Sequence, residues 1–290
     1  MPRYAQPEEP TKPLVIFSHG NSFEAAVYGE FIQHLKARGY AVKAIEKLGH
    51  DPAYPVSNNW PHLVRQLADF IKQEASINPA QPLFLVGHSL GGFLSLMCAA
   101  RFPKLAGIPI RGVVLLDSPI VGGWKAKALR YAKNLGLIQF LSPGAVSQKR
   151  KTSWLDTNAA FFHFRAKKNF LDWHDDTIRR YVESFGTGTE GSRLLAFDRA
   201  VETKIYNTLP DNMERVLAKY PLQCPVSFIG GQRSIELKKV GLKSTQKIAG
   251  ERLRVVQGGH LFPIENPLLT AAAVDAEILN IAALTQGSQT

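Results

Sequence analysis

Two cysteines in 290 residues exclude a disulfide framework and a cysteine-built metal cluster. Cys98 sits in an apolar helical run and Cys224 just before Pro225, and both read as small core residues. Also missing is any stretch of roughly 20 uninterrupted apolar residues, so no membrane span is expected. Residues 1–11 are proline-rich and polar, without the basic flank and apolar run of a secretory signal, which points to a cytoplasmic protein. Metal-ligand spacings such as H-E-x-x-H or paired C-x-x-C do not occur, and neither a metal nor another cofactor is expected. Acidic charge is in deficit: 24 Asp and Glu stand against 35 Lys and Arg, a formal net charge of +11. Clustered, such an excess would bind phosphate backbones. Here Lys149-Arg150-Lys151, Lys167-Lys168 and Lys238-Lys239 lie in separate segments, as solvated surface does, and no nucleic acid partner is expected. The excess still favours an anionic small-molecule substrate.

What is present is a β/α rhythm in a chain whose 45% hydrophobic content can bury a full core. Short apolar runs at 14–17, 40–45, 83–86 and 113–116 read as buried strands. Helical patterns lie between them: Tyr28, Phe31, Ile32 and Leu35, closed by Gly39; Leu63, Leu67, Phe70 and Ile71, behind a candidate cap at Asn59 with Pro61 in the first turn; and 94–100. This alternation predicts an α/β fold, a mostly parallel central sheet with helices on both faces and functional groups beyond the carboxyl ends of its strands.

From 120 to 220 the rhythm stops. Helical patterns rich in Trp, Phe and Lys take over at 124–141, 158–170, 176–185 and 194–206. They predict a helical cap inserted at 120–220, with 1–119 and 221–290 forming the core, where strands at 226–230 and 253–256 resume. Cap aromatics such as Trp124, Tyr131, Phe164 and Trp173 read mainly as the cap's own core, with a few walling an apolar acyl pocket. The run Gly186-Thr187-Gly188-Thr189-Glu190-Gly191 spells G-x-G-x-x-G, but it follows a helical pattern and not a strand, so it reads as a cap loop.

The chemistry gathers at three strand ends. Residues 83–92, LFLVGHSLGG, run strand, G-x-S-x-G, helix. A serine hydroxyl is a weak nucleophile and must be held exposed on a tight turn, which Gly87 and Gly91 permit around Ser89. Asp117 closes the strand at 113–116, where the bland alternative is a turn-former before Ser118-Pro119. His260 follows the last strand on a loop begun by Gly258-Gly259, where an imidazole can reach Ser89 as its base. His19 ends the first strand and reads as a histidine that shapes the turn.

These pieces resemble the α/β-hydrolase fold family over nearly the whole chain outside the cap, through His19-Gly20-Asn21, Gly87-His88-Ser89-Leu90-Gly91, Leu116-Asp117-Ser118-Pro119 and 258–265. The resemblance implies an oxyanion hole from the backbone amides of Asn21 and Leu90. It also implies an acid after the strand at 226–229, yet Ser234 stands where the family's commonest pattern puts an aspartate, and a serine cannot stabilise an imidazolium as a carboxylate does. Some members carry the acid one strand earlier, which makes Asp117 the first candidate; Glu236 is the alternative. The expected activity is that of a carboxylesterase-like serine hydrolase acting on a small-molecule ester or thioester. Thioester and carbon–carbon bond hydrolysis use the same machinery and stay open, as does a non-catalytic binding protein that keeps the fold.

Overall fold

The computed structural model describes residues 13–287; the proline-rich segment read above for an export signal lies outside them. Among the described residues ten strands occur: β1 (Leu14–Ser18), β2 (Ala41–Ala44), β3 (Leu83–His88), β4 (Lys104–Leu105), β5 (Ile108–Leu116), β6 (Ser153–Trp154), β7 (Gly186–Thr187), β8 (Arg193–Leu194), β9 (Val226–Gly231) and β10 (Leu253–Val256). Seven form one sheet, ordered β10-β9-β5-β3-β1-β2, with β4 paired to β5. All its ladders are parallel except β4–β5. That exception is a hairpin turned by Ala106 and Gly107, both at positive φ, as a two-residue turn of this hand requires.

The period of two in each strand sorts the core into two layers. Leu14, Ile16, Leu83, Leu85, Val113 and Leu115 face one side, under helices Pro61–Ala75 and Leu90–Arg101. Val15, Phe17, Phe84, Val86, Val114 and Leu116 face the other, under helices Gly29–Ala37 and Pro267–Gly287. Both layers are apolar because both faces of a parallel sheet are covered. The last helix is long and apolar enough over Pro267–Leu284 to cross a membrane. In the fold it buries Ala271, Val274, Ile278 and Ile281 against the sheet, while Asp275 accepts from Tyr40 and Glu277 pairs with Arg254.

From β1 the chain crosses to β2 on one side and then to β3 on the other. In such sheets the usual ligand position lies at that reversal, beyond the carboxyl ends of β1 and β3. Residues 120–220 carry helices Gly123–Asn134, Ile138–Leu141, Gly144–Ser147, Thr157–Arg165, Asp175–Glu183, Arg199–Asn207 and Met213–Lys219. Three details differ from the sequence expectations. The pattern at 124–141 is broken by Gly136 at φ 70°. The pattern at 194–206 is helical only from Arg199, where Asp198 accepts from the amides of Ala200 and Val201. A small antiparallel sheet, β6-β8-β7, also lies in this segment, built of two-residue strands too short to show any periodicity.

Candidate active site

Ser89 occupies the turn between β3 and helix Leu90–Arg101 at φ 52° and ψ −114°, a conformation costing of order 1–3 kcal/mol for a residue with a side chain. Its neighbours hold it there. The Ser89 amide donates to the Leu116 carbonyl at 2.9 Å, and Ser118 Oγ donates to the Ser89 carbonyl at 3.0 Å. The turn also requires glycine: a Cβ on Gly87 would stand 2.3 Å from the Gly91 backbone, and one on Gly91 2.0 Å from the Ser18 carbonyl oxygen. Side chains there would force the elbow apart.

His260 lies between the other two groups. Its Nδ1 is 2.6 Å from Asp117 Oδ2 and its Nε2 3.1 Å from Ser89 Oγ. Because a carboxylate only accepts, Nδ1 carries the proton and Nε2 is left to accept from the serine hydroxyl. Asp117 is buried, at φ 44°, and it is supported from the strand beside it. The Gly231 amide donates to Oδ1 at 2.8 Å, and Ser234 Oγ donates to Oδ2 at 2.5 Å. Ser234 therefore does not act as an acid; from the turn after β9, where it caps the helix Ile235–Val240, it donates a hydrogen bond to the acid.

Glu236, half exposed, approaches His260 Nδ1 to 3.7 Å and sits 3.5 Å from Ser234 Oγ. Burial of the imidazole favours its neutral form. The hydrogen bond that Nδ1–H donates to Asp117 and the charge of Glu236 outweigh that, and the His260 pKa lies above the ordinary histidine value. Asp117, Glu236 and His260 bring donor atoms within 4.8 Å of one another, as a metal site would. Those atoms are already committed: both Asp117 oxygens accept hydrogen bonds and Nδ1 donates one.

The turn after β1 carries His19, Gly20 and Asn21. His19 Nε2 accepts from the Leu48 amide at 2.8 Å, which leaves Nδ1–H to donate to the Gly20 carbonyl at 2.7 Å. Fully buried, it has its pKa lowered by desolvation to about 4 and shapes the turn as a neutral ring. The amides of Asn21 and Leu90 make no hydrogen bond among the described residues, so both are free to bind a ligand oxygen. The sequence reading missed a strut behind these loops. The Gly20 amide donates to Tyr28 Oη at 3.1 Å, Tyr28 Oη donates to His88 Nδ1 at 2.7 Å, and His88 Nε2–H donates to the His260 carbonyl at 2.8 Å. His88 is buried, with its pKa lowered by desolvation to about 3; as a neutral ring of fixed tautomer it ties the loop of His260 to the turn of Asn21. The only outward signal was a histidine inside G-x-S-x-G.

Other histidines do not join the group: His50 Nε2 accepts from the Asp198 amide, His163 packs on Trp154, and His174 is exposed. Two surface hollows, of about 410 and 350 Å³, are lined by residues that include none of Ser89, Asp117 and His260.

Known proteins agree with this geometry at the level of fold. The sequence profile described as "Alpha/beta hydrolase family" matches residues 15–273. Monoglyceride lipase of Rattus norvegicus is 27% identical over 159 residues, 54% of this chain and 51% of that protein. The chain thus spans about half the length of the curated relatives it matches. Among solved structures, E-2-(acetamidomethylene)succinate hydrolase superposes with a TM-score of 0.67 at 23% identity, covering 93% of this chain and 92% of that one. The thioesterase domain from the curacin biosynthetic pathway does so at 0.65 and 22%, covering 91% of each.

Proposed function

The chain belongs to the alpha/beta hydrolase family, and from that premise we propose that it is a serine hydrolase cleaving a carboxylic ester through an acyl-enzyme. The observation that carries this reading is the hydrogen-bonded line from Ser89 Oγ through His260 to the buried Asp117. Ser89 Oγ attacks the ester carbonyl carbon as its proton passes to His260 Nε2. Asp117 holds the tautomer and stabilises the imidazolium. Negative charge developing on the carbonyl oxygen is received by the amides of Asn21 and Leu90, each donor being worth about 10²–10³ in rate. Collapse of the tetrahedral intermediate expels the alkoxide, which takes the proton from His260. Water, deprotonated by the same imidazole, then attacks the acyl carbon and releases Ser89 and the acid.

Helix Arg199–Asn207 reaches this centre through the Glu202 carbonyl, which accepts from the Asn21 side chain, in keeping with residues 120–220 acting as its cap. Monoglyceride lipases among the relatives make monoacylglycerol esters the first substrates to assay, with thioesters beside them. A fluorophosphonate probe tests the chemistry directly: mass spectrometry should find one adduct, on Ser89, absent from Ser89→Ala. A folded protein left unlabelled would replace this reading with that of a non-catalytic binding protein.

A further inference from the structure

Helix Gly123–Asn134 is inside out. At about 100° per residue, Trp124, Ala128, Tyr131 and the following Leu135 share one stripe, and Lys133 and Ala126 lie on the opposite side. A helix packed on a protein normally turns its apolar stripe inward. Here Lys133 is the buried one, its side chain 7% exposed, paired with the buried Asp211 and donating to the Asn58 side chain and the Leu209 carbonyl. Arg130 joins it on Asp211 at 3.1 Å. Trp124, Tyr131 and Leu135 are 73%, 71% and 68% exposed.

Leu137, Phe140 and Val146, which follow the helix in the chain, are exposed as well. Six large apolar side chains within 23 residues, all facing solvent, exceed what single scattered exposures explain. The charge around them has one sign. Between Asp117 and Asp156 the chain holds seven Lys and Arg and no acid. Of these, Lys127, Lys149 and Lys151 are exposed and make no ion pair among the described residues. Lys127 falls at the border of the Trp124–Tyr131 stripe.

We propose that this face docks on a lipid bilayer carrying anionic headgroups. An apolar stripe with Trp and Tyr, bordered by Lys127 in a segment whose charges are all basic, matches the acyl boundary and the negative surface above it. A second copy of the chain fits less well, because a two-fold contact would set the same basic segment against itself. The face begins at Trp124, seven residues after Asp117, so docking would bring the Asp117 strand end toward the lipid; the proposal itself does not depend on catalysis.

The test is sedimentation of the full chain with vesicles of phosphatidylcholine alone or mixed with phosphatidylglycerol. The protein should bind the mixed vesicles and not the neutral ones. Trp124→Ser/Leu137→Ser/Phe140→Ser and, separately, Lys127→Glu/Lys149→Glu/Lys151→Glu should each weaken binding at least about tenfold. Exposed substitutions should leave the thermal midpoint within about 4 °C of the parent, and the two variants are independent should either fail to fold. No binding to mixed vesicles, equal binding to neutral ones, or binding unchanged in the apolar variant overturns the proposal. A concentration-dependent dimer lost in the apolar variant, without vesicle binding, would give the face to a second copy instead.

Discussion

His260 stands between two carboxylates of unlike burial, Asp117 in line at 2.6 Å and the half-exposed Glu236 at 3.7 Å. The proposed reaction needs the imidazole neutral, so a raised pKa sets the acid limb of kcat/KM above the ordinary histidine value. The stability linkage has the opposite sense. A folded-state pKa above the unfolded one stabilises the fold below the unfolded value, and that contribution is lost as pH rises through the folded one. Activity should therefore climb over the same interval in which this contribution fades. Glu236→Gln should shift the acid limb to lower pH and leave the plateau kcat within a few-fold. Asp117→Asn should cost about 10⁴ in kcat, since the imidazole loses both its orientation and its counter-charge. Steady-state kinetics across pH decides between them; a large loss in Glu236→Gln with Asp117→Asn nearly intact would transfer the acid role to Glu236. Ser89, Asp117 and His260 were legible as candidates because each follows the end of a strand in a recognisable pattern. What Ser234 does was not, because its bond to Asp117 closes between residues 117 positions apart. Tyr28 read as a helix-face residue for the same reason. Tyr28→Phe removes the acceptor of the Gly20 amide and the donor to His88 together. It should cost about 1–3 kcal/mol in urea unfolding and free His88 to change tautomer, visible in ¹⁵N resonances of its ring; an unchanged tautomer would mean that the strut does not hold the loops.

At the scale of elements, local signals worked where a helix carried its own cap and failed where a cap was borrowed. Asp156 accepts from the Ala159 amide and begins its helix as a sequence rule expects. Asn59, expected to cap helix Pro61–Ala75, instead accepts from the Asp211 amide at 2.8 Å, and Trp60, at φ 58°, takes the cap position. That bond ties the core to residues 152 positions later, beyond the reach of any window. Asp211 is also where helix Gly123–Asn134 is anchored. With Asp211→Ala, Lys133 would remain buried without its counter-charge, a change that typically costs 3–5 kcal/mol, or about that less the share Arg130 recovers in solvent. Hydrogen exchange should then rise first in that helix, ahead of the parallel sheet. Uniform loss across the whole chain would show that the helix is held by something other than this anchor.

At the scale of the whole molecule, residues 120–220 are tied back to the turn after β1. The tie converges on Glu202, buried in helix Arg199–Asn207. The Glu202 carboxylate takes two hydrogen bonds from Arg150 and one from Ser22 Oγ, and its carbonyl accepts from the Asn21 side chain at 3.1 Å. Arg150 in turn donates to Tyr181 Oη at 2.6 Å. Ser22 needs such support, because at φ 80° it holds a left-handed conformation unfavourable for a residue with a Cβ. The same tie thus joins helix Arg199–Asn207 to the turn after β1 and braces the turn that carries the Asn21 amide. None of it was legible beforehand, since Arg150 read as one of a solvated basic group and Glu202 as an unremarked helical residue. Glu202→Ala leaves the Arg150 guanidinium buried without its acid, which should lower stability by about 3–5 kcal/mol. If the turn is braced this way, kcat should fall at least about tenfold with KM little changed, because an amide that meets the oxyanion acts in the transition state. Arg150→Met tests the brace more gently: Ser22 keeps its acceptor, so stability should drop while kcat holds closer to the parent. Equal losses of kcat in both variants, tracking stability alone, would reduce Glu202 to a fold-stabilising residue with no hold on the turn.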